Sequence, residues 1–443
     1  MSEPLARRLA DALETSALAK RFDLQAESFL ARRAGDPAAR EASPLALRGL
    51  ARVLASSAEF ARYLAHRPAL FERIARAGPG ALEARACALE AEPAPDSSDL
   101  ELFLDNLRLL RRDETAFAAC LDLAGAVPFE DVSEFLSRIA ETCVRWSLRA
   151  AEAHTGGHEL AGALAVVGMG KIAGRRLTYA SDLDVVFLYD GSARERELEL
   201  AAPRIAQRLI HYLGTMTAAG VAYAVDSRLR PSGGRGALVT THAAFEDYQC
   251  RQAATWEHLA LMRSRELTGS AEGQRVLERT RERVLGAGRS AWSEVADMRA
   301  RVETQRGRAA EGRIPFKTGT GGLMEVEFLA TGARLERGDR AQLTGLPAIA
   351  AMLRATAPGP ACEALLADYA FLRRLEARVR WVHGRALEQF DPADPLAESV
   401  AELVEPGLAL PGLLEQIAGA RERIRSAYQR VIGAGSIGAL TPA

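Results

Sequence analysis

Two carboxylates, Asp182 and Asp184, stand two residues apart at the mouth of the apolar run Val185-Val-Phe-Leu188. Alternate residues of a strand share a face, so an extended chain here aims both carboxylates the same way. Upstream, Val166-Val-Gly-Met-Gly-Lys171 places a glycine turn after another apolar run. Paired hard oxygen ligands beside such a turn suit magnesium ions that carry nucleotide phosphates. Phosphoryl or nucleotidyl transfer is the first chemistry to consider. The plain alternative is a solvated strand end, where aspartate is common. The upstream glycines and the apolar run that follows favour ligands.

A third carboxylate, Asp226, lies in Val225-Asp-Ser-Arg-Leu-Arg-Pro231. Read as a strand, this stretch puts Asp226, Arg228 and Arg230 on one face. A metal at one end and polyphosphate along the guanidinium groups is one reading. A surface ion-pair ladder of little energetic weight is the other. With Asp182 and Asp184, Asp226 completes the carboxylates of a two-metal site. Gly168, Gly170 and Gly174 permit close backbone approach to a phosphate. Their spacing is neither a Walker A loop nor a dinucleotide fingerprint. Ser181 either touches a phosphate or caps its turn.

Only three of the 57 basic residues are lysines, namely Lys20, Lys171 and Lys317. The last two sit in glycine-rich turns, where phosphate contact is one reading and chance placement the other. Trp256 reads as core. Glu325 and Glu327 follow Gly321-Gly322, and on a helix they diverge: one toward the site, the other into solvent. No histidine has a partner at metal-ligand spacing.

Helices and a few strands must position these groups. Residues 1–155 read as all-helical. Leu64, Phe71 and Ile74 keep helical spacing within Ala58–Ala77, with Ser56 or Ser57 as cap. Leu104, Leu107 and Leu110 mark another helix, and Val132, Leu136, Ile139 and Cys143 one more. Thr155-Gly-Gly157 ends that block. Strands are expected at Ala163–Val167, Asp184–Tyr189 and Val221–Leu229. Helices are expected at Glu197–Ala219, closed by Gly220, and at Phe245–Leu267. Long charged helices follow to about Arg308. Lys317-Thr-Gly-Thr-Gly-Gly322 precedes a helix from Leu323, and Phe371, Leu375, Val379 and Val382 mark a late one.

The chain has 443 residues, 48% of them apolar, and a net charge of −1. These values describe a folded chain with several cores and give no case for nucleic-acid binding. No apolar run reaches membrane-spanning length, so no membrane contact is expected. Met1-Ser-Glu-Pro-Leu-Ala-Arg-Arg8 lacks the apolar core of a signal peptide. The five cysteines are scattered, which argues against zinc and disulfides and for buried thiols in a reducing cytoplasm.

Taken together, these residues resemble the glutamine synthetase adenylyltransferase family, within the polymerase β-like nucleotidyltransferases. The resemblance is carried by Gly168-Met-Gly-Lys171, Ser181-Asp-Leu-Asp184, Val225-Asp-Ser-Arg-Leu-Arg-Pro-Ser-Gly233 and Leu238-Val-Thr240. Phe245-Glu-Asp-Tyr248, Thr255-Trp-Glu-His258 and Gly321-Gly-Leu-Met-Glu-Val-Glu-Phe-Leu329 follow in family order, and Glu59–Phe71 resembles the region ahead of the core. The resemblance implies an α+β, mostly helical fold. A polymerase β-like nucleotidyltransferase core, a small mixed sheet with helices, is flanked by N-terminal and C-terminal helical regions. The divisions expected are 1–155, 156–270 and 271–443.

It further implies Mg2+, with ATP as substrate and glutamine synthetase as the protein modified. The family attaches AMP to a tyrosine of that enzyme and removes it by phosphorolysis. By motif match, Asp182, Asp184 and Asp226 take the metal-carboxylate roles. Gly168, Gly170, Lys171, Ser181, Arg228 and Arg230 are expected around the nucleotide.

Family members usually carry two such modules, and this chain carries one. Arg230-Pro-Ser-Gly233 and Trp256-Glu-His258 resemble the attaching module. Ala173 and Ala180 stand where the family favours smaller residues or serine. A nitrogen-signalling regulatory protein is a further partner that the resemblance allows. Three rival readings stay open: removal of AMP, nucleotidyl transfer to another target, and a binding module without turnover.

Overall fold

A computed structural model of the chain describes residues 4–13, 17–78, 80–156, 160–191, 195–286, 292–306, 311–338 and 345–440. Helices α1 (Leu5–Asp11), α2 (Ala19–Gln25), α3 (Glu27–Arg33) and α4 (Pro37–Glu41) open the chain. They lead into α5 (Pro44–Ser56), α6 (Ala58–Ala65), α7 (Pro68–Ala75) and α8 (Ala81–Ala91). Where one helix is expected over Ala58–Ala77, there are two. Pro68 has no N–H to continue α6 and instead occupies the first turn of α7. Ser57, one of the two expected caps, takes the role: its hydroxyl accepts from the Phe60 N–H.

Two long helices follow, α9 (Leu100–Leu123) and α10 (Phe129–Gly156). The expected break at Gly157 lies outside the described residues. The next segment alternates strands and helices: β1 (Ala165–Met169), the single turn α11 (Gly170–Ala173), β2 (Leu183–Tyr189) and α12 (Glu195–Gly214). Then come β3 (Val225–Asp226), β4 (Val239–Thr241), α13 (His242–Arg251), α14 (Thr255–Leu261) and β5 (Ser264–Glu266). The remaining helices are α15 (Ala271–Gly286), α16 (Trp292–Arg306), α17 (Leu323–Arg337), α18 (Gly345–Thr356), α19 (Pro360–His383), α20 (Ala397–Val404) and α21 (Leu410–Ala434). Arg308, the expected end of the charged helices, is not among the described residues.

The chain is α+β and mostly helical, as expected, around one five-stranded mixed sheet. β2 lies next to β1, antiparallel, and β1 next to β5, also antiparallel. On its other edge β2 pairs in parallel with β3 at its start and with β4 at its end.

β1 and β2 are apolar at nearly every position because both faces of the sheet are covered. Val166, Val185 and Phe187 pack into a core shared with the N-terminal helices and α12. Val167, Val186 and Leu188 point the other way, against Phe245, Leu261, Val276 and Leu277. Helices α16 to α21 enclose a third core around Tyr369, Leu372 and Ile424.

Three further expected elements differ. The helix expected over Glu197–Ala219 stops at Gly214, and Gly220 instead closes a tight turn back to Thr217 at φ 104°. The strand expected over Val221–Leu229 keeps only Val225–Asp226, because the Arg228 N–H folds back onto the Asp226 carboxylate. The helix expected over Phe245–Leu267 is α13, α14 and β5. Glu257 accepts from the Ala254 N–H and starts α14 afresh after the bend at Gln252.

Candidate nucleotidyl-transfer site

Gly170, Lys171, Asp182 and Asp184 come together where β1 ends and β2 begins, against α19. β1 delivers the chain to Gly170, whose φ of +58° favours glycine. A Cβ there would lie 3.4 Å from Asp184 Oδ2, so the backbone runs close to that carboxylate. Gly168 is different: a side chain there would collide with Leu267 at 2.9 Å, so this glycine serves packing of the sheet. Gly174 backs onto the Arg176 side chain in the same way.

The parallel register sets Asp184 directly opposite Asp226 on β3, and Asp182 lies just ahead of β2, exposed. Burial pushes the Asp184 carboxyl up to about 6, and the neighbouring Asp182 and Asp226 charges add to the shift. Lys317 and Lys171 act on it in the opposite sense. The two lysines singled out in the sequence therefore converge on one carboxylate from turns about 150 residues apart, close enough for their charges to act on it.

Asp226 is taken up by the neighbouring arginine. Its carboxylate accepts from the Arg228 backbone at 2.8 Å and from the guanidinium Nε at 2.9 Å. Those hydrogen bonds hold it below the ordinary carboxylate range. Arg228 is otherwise in solvent. Arg230 does not share a strand face with it. Its guanidinium donates to the carbonyls of Ser227, Gly234 and Gly236 at 2.8, 3.1 and 3.2 Å, and so braces the loop between β3 and β4.

Ser181 caps its turn. The hydroxyl accepts from the Thr178 N–H at 3.0 Å and lies 3.4 Å from Arg380 Nη1. Ala180, in the same turn, has φ +54°, a conformation that costs an L residue roughly 1–2 kcal/mol.

Lys171 Nζ donates to Glu376 Oε1 at 2.5 Å. Burial lowers its pKa to about 7, against the pull of Glu376. Lys317 is paired with Glu388. Burial would lower Lys317 too, but Glu388 and Glu376 outweigh it and hold the ammonium above its usual range.

Neither glutamate after Gly321-Gly322 is solvated. Glu325 is fully buried and pairs with Arg299 and Arg425 at 3.0 and 2.9 Å. Glu327 binds Arg176 and Arg263 at 3.3 and 2.9 Å. Burial would raise Glu327, yet those guanidinium groups bring it to about 2. Trp256 is half-buried on α14. Of the cysteines, Cys120, Cys143 and Cys362 are buried, Cys250 is half-buried and Cys87 exposed.

Sequence reasoning missed Glu376, Arg373, Arg380 and Glu388. A signal was present: Arg373, Glu376 and Arg380 repeat at helical spacing within the same segment as Leu375 and Val379.

The carboxylates suit a hard divalent cation by donor type, and the burial and repulsion that raise Asp184 are what a cation would offset. As they stand, no three His, Cys, Asp or Glu side chains among the described residues converge on a metal position.

A cavity of about 280 Å³ adjoins the turn, lined by Phe60, Arg111, Tyr179, Ala180, Arg380 and Trp381. A larger one of about 840 Å³ lies between the N-terminal helices and α20, and none of the candidate residues lines it. No helix among the described residues is long and apolar enough to cross a membrane.

A family model described as glutamate-ammonia ligase adenylyltransferase matches residues 47–280, which hold the whole sheet and all three aspartates. A second, described as GlnD PII-uridylyltransferase, matches residues 296–432, which hold Lys317 and Glu376. Similar proteins include a bifunctional glutamine synthetase adenylyltransferase/adenylyl-removing enzyme of Nitrosococcus oceani. It is 34% identical over 65% of this chain and 32% of its own length. A protein of the same description from Pseudomonas syringae pv. tomato is 35% identical over 66% of this chain and 34% of its own. The chain thus spans about a third of the length of these relatives. The first of the two family models covers more than half of the sequence and all three aspartates, and on that match the chain belongs to the glutamate-ammonia ligase adenylyltransferase family.

Proposed function

We propose that the chain is a magnesium-dependent nucleotidyltransferase that moves AMP from ATP to a tyrosine of glutamine synthetase and so regulates nitrogen assimilation. The observation that carries this reading is Asp184. It is a carboxylate set beside Asp182, opposite Asp226, backed by Gly170 and within reach of the Lys171 and Lys317 charges.

Asp182, Asp184 and Asp226 would hold magnesium, which when bound supplies positive charge against the triphosphate and lowers the barrier to displacement at phosphorus. The chain's own residues do the rest. Gly170 lets the backbone approach the phosphates, and Lys171 offers them an ammonium from the adjoining turn. Arg228, which now pairs with Asp226, would be freed to meet the phosphates where magnesium takes that carboxylate. The tyrosine oxygen attacks the α-phosphorus, the bond to pyrophosphate breaks, and the hydroxyl proton passes to a nearby carboxylate. Free tyrosine has a pKa of about 10, so this proton needs such an acceptor near neutrality.

The relatives' description names removal as well as attachment, so phosphorolytic removal is the second reading. In it, inorganic phosphate attacks the phosphorus of the tyrosine-bound AMP, the bond to the tyrosine oxygen breaks, and ADP is released as the tyrosine hydroxyl regains its proton. The match of residues 296–432 to a PII-uridylyltransferase model supports a nitrogen-signalling protein as a regulatory partner.

ATP labelled on its α-phosphate tests the reading. Label should appear on glutamine synthetase with magnesium present and vanish with Asp184→Asn. No label from α-labelled ATP, with label transferred from γ-labelled ATP in a parallel incubation, would make the chain a kinase and overturn it.

A further inference from the structure

We infer that Glu376, on α19, is a positioning residue for this site: it fixes Lys171 of the glycine turn where a bound polyphosphate would meet it. The inference rests on the nucleotidyl-transfer reading and extends it to a helix outside the sheet, from the segment that matches the second family model.

Glu376 is fully buried, so it has no access to substrate or solvent of its own. Both carboxylate oxygens are taken. Oε1 accepts from Lys171 Nζ at 2.5 Å and faces Arg380 Nη2 at 3.1 Å. Oε2 accepts from Arg373 Nη1 at 2.6 Å. Each of these cations reaches the catalytic segment. Arg380 Nη1 lies 3.3 Å from Thr178 Oγ1 and 3.4 Å from Ser181 Oγ, in the turn that leads into Asp182. Arg373 donates to the Arg176 carbonyl and, at 3.2 Å, to Ser133 Oγ. One carboxylate thus ties together the lysine after Gly170 and the turn before Asp182.

A buried carboxylate among three cations is costly to assemble and is kept in place by them. A long lysine side chain loses much rotamer freedom on binding phosphate. Held by Glu376, its amino group needs less further ordering to meet a ligand. A simple clamp between helices would serve stability only and would not distinguish phosphate from the rest of a nucleotide.

That distinction is the test. Equilibrium binding of ATP and of adenosine to the full chain is measured with magnesium, for the unmutated protein, Glu376→Gln, Lys171→Met and the double variant. Glu376→Gln is expected to weaken ATP roughly tenfold and to leave adenosine within about twofold. The double variant should bind ATP no more weakly than Lys171→Met, because the two side chains act as one unit. Unchanged ATP affinity, or equal losses for ATP and adenosine, overturns the inference and leaves Glu376 a structural clamp. Failure of the unmutated chain to bind ATP overturns the proposed function itself, before any variant is compared. If Glu376→Gln does not fold, Glu376→Asp keeps the charge, withdraws it by one methylene, and is judged by the same outcomes.

Discussion

At the residue scale, the proposed chemistry turns on Asp184. It is the carboxylate on which strand register, the glycine turn and both lysines converge. Its pKa of about 6 means that the folded chain keeps a proton between pH 4 and 6 that an unfolded chain has released. Stability from this group is therefore present below about pH 4 and falls as pH rises through 6. Asp184→Asn removes that slope. Without magnesium, the variant should gain on the parent by up to about 2 kcal/mol between pH 4 and 7, after allowance for partial exposure. Urea unfolding at both pH values reads the difference, and a pH-independent gap contradicts the raised Asp184 carboxyl. Ala180 makes a second prediction. Its φ of +54° costs an alanine what glycine avoids, so Ala180→Gly should stabilise by about 1 kcal/mol in thermal or urea unfolding. A loss of stability would mean that this backbone strain is not the governing term.

At the element scale, the long helices and the two central strands were legible because each carries a regular apolar pattern. Ala163–Val167 and Asp184–Tyr189 fell within two residues of β1 and β2. The short edge strands were not legible. β3 has two residues and ends where Asp226 captures the following N–H, and β5 (Ser264–Glu266) has polar residues at each position. Arg230 shows the same limit for the site: its type pointed to phosphate, while its contacts are loop carbonyls six residues away or nearer. Contacts across 200 residues, such as Lys171 with Glu376, leave no local trace at all. The loop from Lys317 to Gly322 gives the prediction at this scale. Gly321 has φ +70°, and a Cβ there would stand 2.0 Å from the Arg421 carbonyl oxygen. Gly321→Ala should cost more than about 3 kcal/mol, as strain adds to overlap, and should displace the loop that carries Lys317. A melting temperature within about 2 °C of the parent would contradict this.

At the scale of the whole molecule, α19 is the strut between regions distant in sequence. Arg378 forms a buried bidentate pair with Asp122 at the end of α9, and the Tyr179 hydroxyl donates to the same carboxylate at 2.7 Å. Trp381 stacks on Phe60 of α6 with ring centroids 4.8 Å apart. Asp122→Ala leaves the Arg378 guanidinium buried without its counter-ion and should destabilise by about 3–5 kcal/mol. Asp122→Leu combined with Arg378→Met removes both charges and should lose clearly less. Equal losses in the single and double variants would show that the charges are not the reason for the pair's effect. Because α19 also carries Glu376, weakening this strut is expected to lower nucleotide affinity along with stability.

The most direct test of the account is the intact mass of glutamine synthetase after incubation with this chain, ATP and magnesium. The account predicts one added adenylyl group per modified subunit, located on a tyrosine, and none with Asp184→Asn. An unchanged mass, together with no ADP released from adenylylated synthetase and phosphate, would contradict it in both directions of the reaction.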